Sequence, residues 1–158
     1  MRFLTYIVSI TLLVSSIYAE QKESVKELLE SKVQADMSYQ EMMQIMGMNA
    51  QKIHQGILLQ NPIMVRDAAQ AIQYHKAPNH KPWLIMPKPQ QEGFKEMLLV
   101  YDELLHEGAE DIADAVEKND WSAANRAFGA MSESCIVCHG VWRNQVIKRN
   151  FKVKNQEK

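Results

Sequence analysis

The chain has 158 residues, of which 46% are hydrophobic and 23% are charged, and its formal net charge is −1 at pH 7. This length suits one domain built around one core. The near balance of positive and negative charge gives no reason to expect binding to nucleic acid or to an anionic membrane surface.

Residues 1–19 predict a cleavable secretory signal peptide. Arg2 supplies a short positive region, a mostly apolar stretch follows it, and the segment ends in the small residue Ala19. The apolar run is short for a bilayer span of ~20 residues, and the charged residues Glu20, Lys22 and Glu23 follow at once. Cleavage is therefore favoured over an uncleaved membrane anchor. We expect an exported, periplasmic domain over residues 20–158, with no stable membrane span once the signal is removed.

The rest of the chain predicts an all-α fold. No segment shows sustained period-two alternation of β-branched residues, so strands are not indicated. Apolar spacing predicts helices over residues 24–60, 61–75, 91–118 and 121–149, with start signals at Asn61-Pro62 and Asn119-Asp120. The proline-containing segment 77–89 predicts a long crossing loop. Amphipathic helices joined in this way predict an antiparallel four-helix bundle.

Residues 135–139, Cys-Ile-Val-Cys-His, form the C-x-x-C-H signature of covalent haem attachment. Positions i and i+3 lie on one side of a helix, so the thiols of Cys135 and Cys138 can both add to the vinyl groups along one haem edge. The next residue, His139, is turned ~100° further around the helix and is predicted to be an axial iron ligand. Its other ring nitrogen needs a hydrogen-bond acceptor to fix the tautomer. We therefore predict one haem c per chain.

Other uses of the two cysteines are less well supported. A zinc site needs four ligands, whereas only two cysteines and one adjacent histidine are grouped here. A thiol–disulfide oxidoreductase would carry its C-x-x-C in a βαβ context that the sequence does not indicate. A disulfide across so short a loop would restrain the unfolded chain little. No polar acid–base group for chemistry at the haem is apparent, so an enzyme is not expected.

Several segments carry a resemblance to a known family. They are YQEMMQIMG in the first predicted helix (39–47), Pro82-Trp83 in the crossing loop, and the run AFGAMSESCIVCHGVWR (127–143) that contains the motif. Together with the predicted helices, they make the chain resemble the class II c-type cytochromes, which include the cytochromes c′. The resemblance implies a four-helix bundle with one haem near the end of the last helix.

The resemblance also implies residues beside the haem. In many members of the family an arginine contacts a haem propionate at the position of Tyr39, so Tyr39 is expected near the haem. It can donate only a neutral hydrogen bond, and Lys32 or Lys52 are alternative partners for the propionate. Arg143, which follows an aromatic residue, matches the family's arginine beside the proximal haem face.

The sixth coordination position of the iron decides between two functions. In the family this position is open behind an apolar side chain or is filled by a methionine of the first helix, and the alignment places Met43 there. Met42 and Met46 share that helix face and are weaker candidates, and methionine is also a common filler of apolar cores. A Met43 ligand predicts an electron carrier that meets redox partner proteins, since methionine ligation raises the reduction potential. An open position predicts binding of diatomic gases such as nitric oxide or carbon monoxide.

Two further expectations concern the surface. Met37, Ile45 and Met48 lie on the outer side of the first predicted helix and are candidates for a homodimer contact. The acidic pairs Asp102-Glu103 and Glu110-Asp111 are expected on solvated helix surface. Four histidines could in principle be the sixth iron ligand but are expected at the surface or in loops: His54, His75, His80 and His106.

Overall fold

The computed structural model describes residues 27–156, with side chains described as far as residue 146. The described chain is helical: α1 spans Tyr39–Leu58, α2 Pro62–Gln73, α3 Gln91–Glu117 and α4 Trp121–Gln156, and residues 27–31 are also helical. The all-α prediction is confirmed. The signal peptide predicted over residues 1–19 lies outside the described residues.

The first predicted helix is shorter at its N-terminal end than expected. The prediction of one helix from residue 24 was wrong, because the chain leaves the helical path at residues 32–38 before α1 begins. A capping box starts α1 afresh: the Ser38 hydroxyl accepts a hydrogen bond from the Glu41 backbone N–H at 3.1 Å, and the Glu41 carboxylate accepts one from the Ser38 N–H at 2.6 Å. These reciprocal bonds satisfy two backbone donors that the first turn would otherwise leave unpaired.

The start signals predicted for α2 and α4 are confirmed. The Asn61 side chain accepts a hydrogen bond from the Met64 backbone N–H, and Pro62 occupies the first helical position, where a missing N–H costs nothing. Asp120 caps α4 by accepting from the Ala123 backbone N–H at 2.8 Å. Local side-chain chemistry thus defines both helix starts.

Two very short strands tie the segment before α1 to the crossing loop. The strand β1, Gln34–Ala35, pairs in parallel with β2, Ala77–Pro78. The loop continues through two 3-10 turns, Pro82–Ile85 and Lys88–Gln90, before α3 begins. A two-residue strand has no alternating pattern to detect, which is why no strand was indicated by the sequence.

The helices pack around a main apolar cluster to which α1, α2, α3 and α4 all contribute. α2 packs against α1 and α3, and α4 packs against α3 and α1. The buried members of this main cluster are Met46, Ile53, Ile57, Val65, Ala68, Ala69, Ile72, Ala109, Ile112, Ala115, Val116, Ala124 and Met131.

A second group of apolar side chains lies where the crossing loop meets α1, α3 and α4. Met86, Phe94 and Met97 are its buried members, and we call this group the aromatic cluster. Its partly buried members are Tyr39, Trp83, Ile85, Leu98, Tyr101, Cys138, Trp142 and Val146. This cluster positions the candidate site.

Over residues 27–156, none of the helices combines the length and the apolar character that crossing a membrane requires.

Candidate functional site

Both cysteines of the motif lie on α4 as free, half-buried thiols. The Cys138 thiol contacts the sulfur of Met97 on α3 at 3.2 Å, and the Cys135 thiol donates to the Met131 carbonyl of its own helix at 3.4 Å. The intervening residues Ile136 and Val137 are exposed. The three-residue spacing therefore places both sulfurs on the less exposed side of α4.

Aromatic rings surround the more C-terminal of these thiols. Phe94 packs edge-to-face against Tyr39, with ring centroids 5.9 Å apart, and against Trp142, with centroids 5.4 Å apart. Trp83 of the crossing loop and Cys138 belong to the same aromatic cluster. The thiol thus borders a set of flat, apolar side chains drawn from α1, α3, α4 and the crossing loop.

The environment keeps both sulfurs protonated. Burial raises the pKa of the Cys138 thiol to about 11, and the neighbouring Cys135 adds to this rise. Burial also raises the pKa of Cys135, against a smaller opposing hydrogen bond. At neutral pH both groups are therefore thiols rather than thiolates.

The imidazole of His139 lies at the exposed surface of α4. Partial desolvation lowers its pKa, and the positive charge of Arg143 one turn later lowers it further. Both effects favour the neutral ring, which is the form that can donate a lone pair to a metal. Among the side chains described, none forms a hydrogen bond with this ring, so the predicted acceptor for its second nitrogen is not seen.

The structure brings Tyr39 to the motif but places Met43 elsewhere in the core. Tyr39 packs into the aromatic cluster with Cys138, and the pKa of its hydroxyl is raised by burial and by the nearby Cys138 and Asp102.

Met43 is half-buried against the main cluster. Met42 is buried and lines a small cavity together with Tyr39. Arg143 is exposed, and its charge acts on His139.

A buried polar cluster formed by Lys32, His75, Asp102 and His106 was missed by the sequence interpretation. The prediction that Asp102 lies on solvated helix surface was wrong, because its side chain is 15% exposed. His75 lies in the loop after α2, and its side chain is 7% exposed. A sequence signal did exist, because Asp102 and His106 are four residues apart and so share one face of α3. The partners from residues 32 and 75 become neighbours only through folding.

The chain matches no protein-family model, and neither the curated proteins nor the solved structures give a significant match. The functional interpretation therefore depends on the motif and on the geometry described above.

Proposed function

We propose that this chain is a periplasmic c-type cytochrome that carries one haem c and transfers electrons. Cys135 and Cys138 would hold the haem through thioether bonds, and His139 would bind its iron. The observation that carries this proposal is the C-x-x-C-H motif, whose two thiols share one side of α4 beside the aromatic cluster. When bound, the haem supplies an iron ion that gains and loses one electron.

The two cysteines are free thiols, which is the state that covalent haem attachment requires. Each thiol would add its hydrogen and its sulfur across one vinyl double bond of the haem, so that a thioether needs neither an oxidant nor a leaving group. The raised pKa values of Cys135 and Cys138 are compatible with reduced, protonated thiols. A thiol–disulfide oxidoreductase instead needs a thiolate with a lowered pKa. The direction of these shifts therefore favours haem attachment over the oxidoreductase alternative.

The residues around the motif fit a flat, largely apolar group. Trp83, Phe94, Trp142 and Met97 of the aromatic cluster are apolar side chains that would border such a group beside Cys138. The neutral imidazole of His139 supplies the nitrogen ligand, and the positive charge of Arg143 helps to keep its lone pair free. We propose that the four helices form an antiparallel bundle around this group, as the resemblance to the class II c-type cytochromes implies.

The sixth ligand is proposed to be Met43, on the strength of the resemblance. A second candidate function, binding of a diatomic gas at an open iron position, is favoured by one observation. Met43 packs against the main cluster, where it serves as an ordinary core residue. Both functions require haem attachment at Cys135 and Cys138. They differ in whether Met43 binds the iron when haem is present.

The pyridine haemochrome spectrum of protein produced with the haem-maturation machinery tests the proposal. We expect the spectrum of a haem whose two vinyl groups are both saturated by thioether bonds. Replacement of Cys135 by Ser should give the spectrum of a haem with one remaining vinyl group. The Ser134→Ala variant, at a half-buried position on the same helix turn, is the matched control and should retain the wild-type spectrum. Protein that carries no haem, or haem removed by acidic acetone, would contradict the proposal.

A further inference from the structure

Four polar side chains meet at a second place in the fold, apart from the cysteine motif. The Lys32 ammonium nitrogen lies 3.1 Å from His75 Nε2, 3.1 Å from His106 Nε2 and 3.0 Å from Asp102 Oδ2. His75 Nε2 lies 3.0 Å from Asp102 Oδ1, and His106 Nε2 lies 3.8 Å from Asp102 Oδ2. Two imidazole nitrogens and a carboxylate therefore converge on the position of one ammonium group.

Separate parts of the fold hold these side chains in place. Asp102 and His106 project from successive turns of α3, and His75 follows the C-terminal end of α2. Lys32 comes from the segment before β1. The side chains of His106 and Lys32 are 28% and 11% exposed, so the cluster is largely shielded from water.

A backbone contact of His75 indicates which of its nitrogens would face a metal ion. Its Nδ1 lies 3.1 Å from the backbone carbonyl of Lys76, which can accept a hydrogen bond from this nitrogen. In a metal-bound ring, Nε2 would then present its lone pair to the centre of the cluster. A backbone carbonyl in this role is the usual outer partner of a metal-binding histidine.

The centre of the cluster already holds a positive charge. The Lys32 ammonium lies within 3.1 Å of both Nε2 atoms and of the Asp102 carboxylate. A metal cation at the same position would meet the same three groups.

We propose that this cluster is a zinc-binding site in which His75 Nε2, His106 Nε2 and one oxygen of Asp102 are the ligands. In this proposal the Lys32 ammonium is an internal cation that zinc displaces. Zinc takes imidazole and carboxylate ligands at ~2.0–2.2 Å, and a tetrahedral site with three protein ligands leaves one position for water.

The spacing of the ligand atoms is close to what such a site needs. The three candidate ligand atoms all lie within 4.8 Å of one another. Tetrahedral zinc at the bond lengths above would hold its ligand atoms about 3.3–3.5 Å apart. Side-chain rotations that move atoms by about 1 Å would close the site around the ion.

The proposed zinc site includes neither cysteine of the motif, nor His139, nor Met43. A failure of the zinc proposal therefore leaves the haem proposal intact, and the reverse also holds.

Calorimetric titration of the purified, haem-loaded protein with zinc chloride tests the site. We expect saturable binding of one ion per chain, with no comparable response to Mg²⁺, which prefers oxygen ligands in octahedral geometry. His75→Ala and His106→Ala should each weaken zinc binding by at least ~10-fold, since each removes a ligand. The exposed His80→Ala is the matched control and should bind as the unmodified protein does. An absence of saturable binding, or binding that both ligand variants retain in full, would overturn the proposal.

The Lys32→Met variant tests whether the Lys32 ammonium competes with zinc. It removes the competing positive charge but keeps most of the apolar stem, so zinc binding should tighten by ~10-fold or more. Unchanged or weaker binding would contradict the displacement of Lys32.

X-ray absorption at the zinc edge of the unmodified protein settles the ligands without any variant, in case a substitution disturbs folding. Nitrogen and oxygen scattering at ~2.0–2.1 Å with imidazole features supports the site, whereas sulfur scattering at ~2.3 Å would overturn it.

Discussion

The thiol of Cys138 on α4 lies 3.2 Å from the thioether sulfur of Met97 on α3. Met97 is a buried member of the aromatic cluster, and Cys138 is one of its partly buried members. Burial raises the pKa of the Cys138 thiol to about 11. The chemistry of the motif on α4 thus depends on side chains that α3 supplies.

Truncation of Met97 should destabilise the protein. Met97→Ala removes buried apolar atoms and leaves a cavity beside Cys138, so the free energy of unfolding should fall by ~2–5 kcal/mol. Met97→Leu keeps most of the volume and should cost less than ~1.5 kcal/mol. Urea unfolding followed by circular dichroism measures both. Met48→Ala, at a side chain 54% exposed, is the control and should change stability by no more than ~0.5 kcal/mol. Equal losses for Met97→Ala and Met48→Ala would contradict this account of the contact.

Two glycines of α1 should respond in opposite directions to replacement by alanine. A Cβ at Gly56 would lie 2.7 Å from Val65 Cγ2 and 3.2 Å from the Val65 backbone nitrogen, whereas a Cβ at Gly47 would have no neighbour within 4 Å. Gly56→Ala should therefore destabilise the protein by ~1–3 kcal/mol through overpacking between α1 and α2.

Gly47→Ala should instead stabilise the protein by ~0.5–1 kcal/mol, because alanine loses less backbone entropy in a helix. Denaturant midpoints of the two variants, measured side by side, provide the comparison. A stabilised Gly56→Ala variant would show that α1 and α2 do not approach each other closely at this point.

Asp102 should make the protein sensitive to acid. Burial alone would raise the pKa of its carboxyl, but the hydrogen bond to His75 and the charge of Lys32 outweigh burial and hold the pKa below its usual value. A carboxyl with a lowered pKa in the folded state contributes stability above its unfolded pKa of about 3.9. That contribution is lost as pH falls through the lower, folded value.

Unfolding free energies measured in the presence of a chelator between neutral pH and about pH 3 test this expectation. Asp102→Asn should have lower stability at neutral pH and a flatter decline at acid pH than the unmodified protein. Asp111→Asn, at an exposed position of the same helix, should keep the wild-type dependence of the unfolding free energy on pH. If the unfolding free energies of the unmodified protein and of Asp102→Asn depend on pH in the same way, Asp102 is not the source of the acid sensitivity.

Replacement of Met43 separates the two functions proposed for the haem. If Met43 is the sixth ligand, the ferric protein should be low-spin, and Met43→Leu should convert it to a form that binds carbon monoxide when reduced. Met48→Leu, at an exposed position of the same helix, is the control and should leave the spectrum unchanged. A high-spin spectrum in the unmodified protein, with no response to Met43→Leu, would instead support the gas-binding function.

The sequence predicted those features of the fold that depend on local chemistry. Asn61-Pro62 and Asp120 carry their own capping interactions, so the starts of α2 and α4 were predicted correctly. The start of α1 was missed although Ser38 and Glu41 have capping-box spacing, because apolar spacing alone continues through this segment. The pairing of β1 with β2 joins residues far apart in the chain and has no local signal.

The two candidate sites also differ in whether their residues lie close together in the sequence. The cysteine motif is contiguous, so one helix turn fixes the relative positions of its residues and the sequence suffices to find it. The cluster of His75, Asp102 and Lys32 draws on three separate segments, and each residue taken alone resembles an ordinary surface group. Only tertiary packing shows that these side chains are largely buried and face one another.

Mass spectrometry of the matured protein under denaturing conditions tests the central claim most directly. A haem held by two thioether bonds stays with the polypeptide when the fold is lost, so the mass should equal that of the processed chain plus one haem. Neither Cys135 nor Cys138 should then react with an alkylating reagent. A mass equal to the bare polypeptide, with both thiols alkylated, would contradict the account.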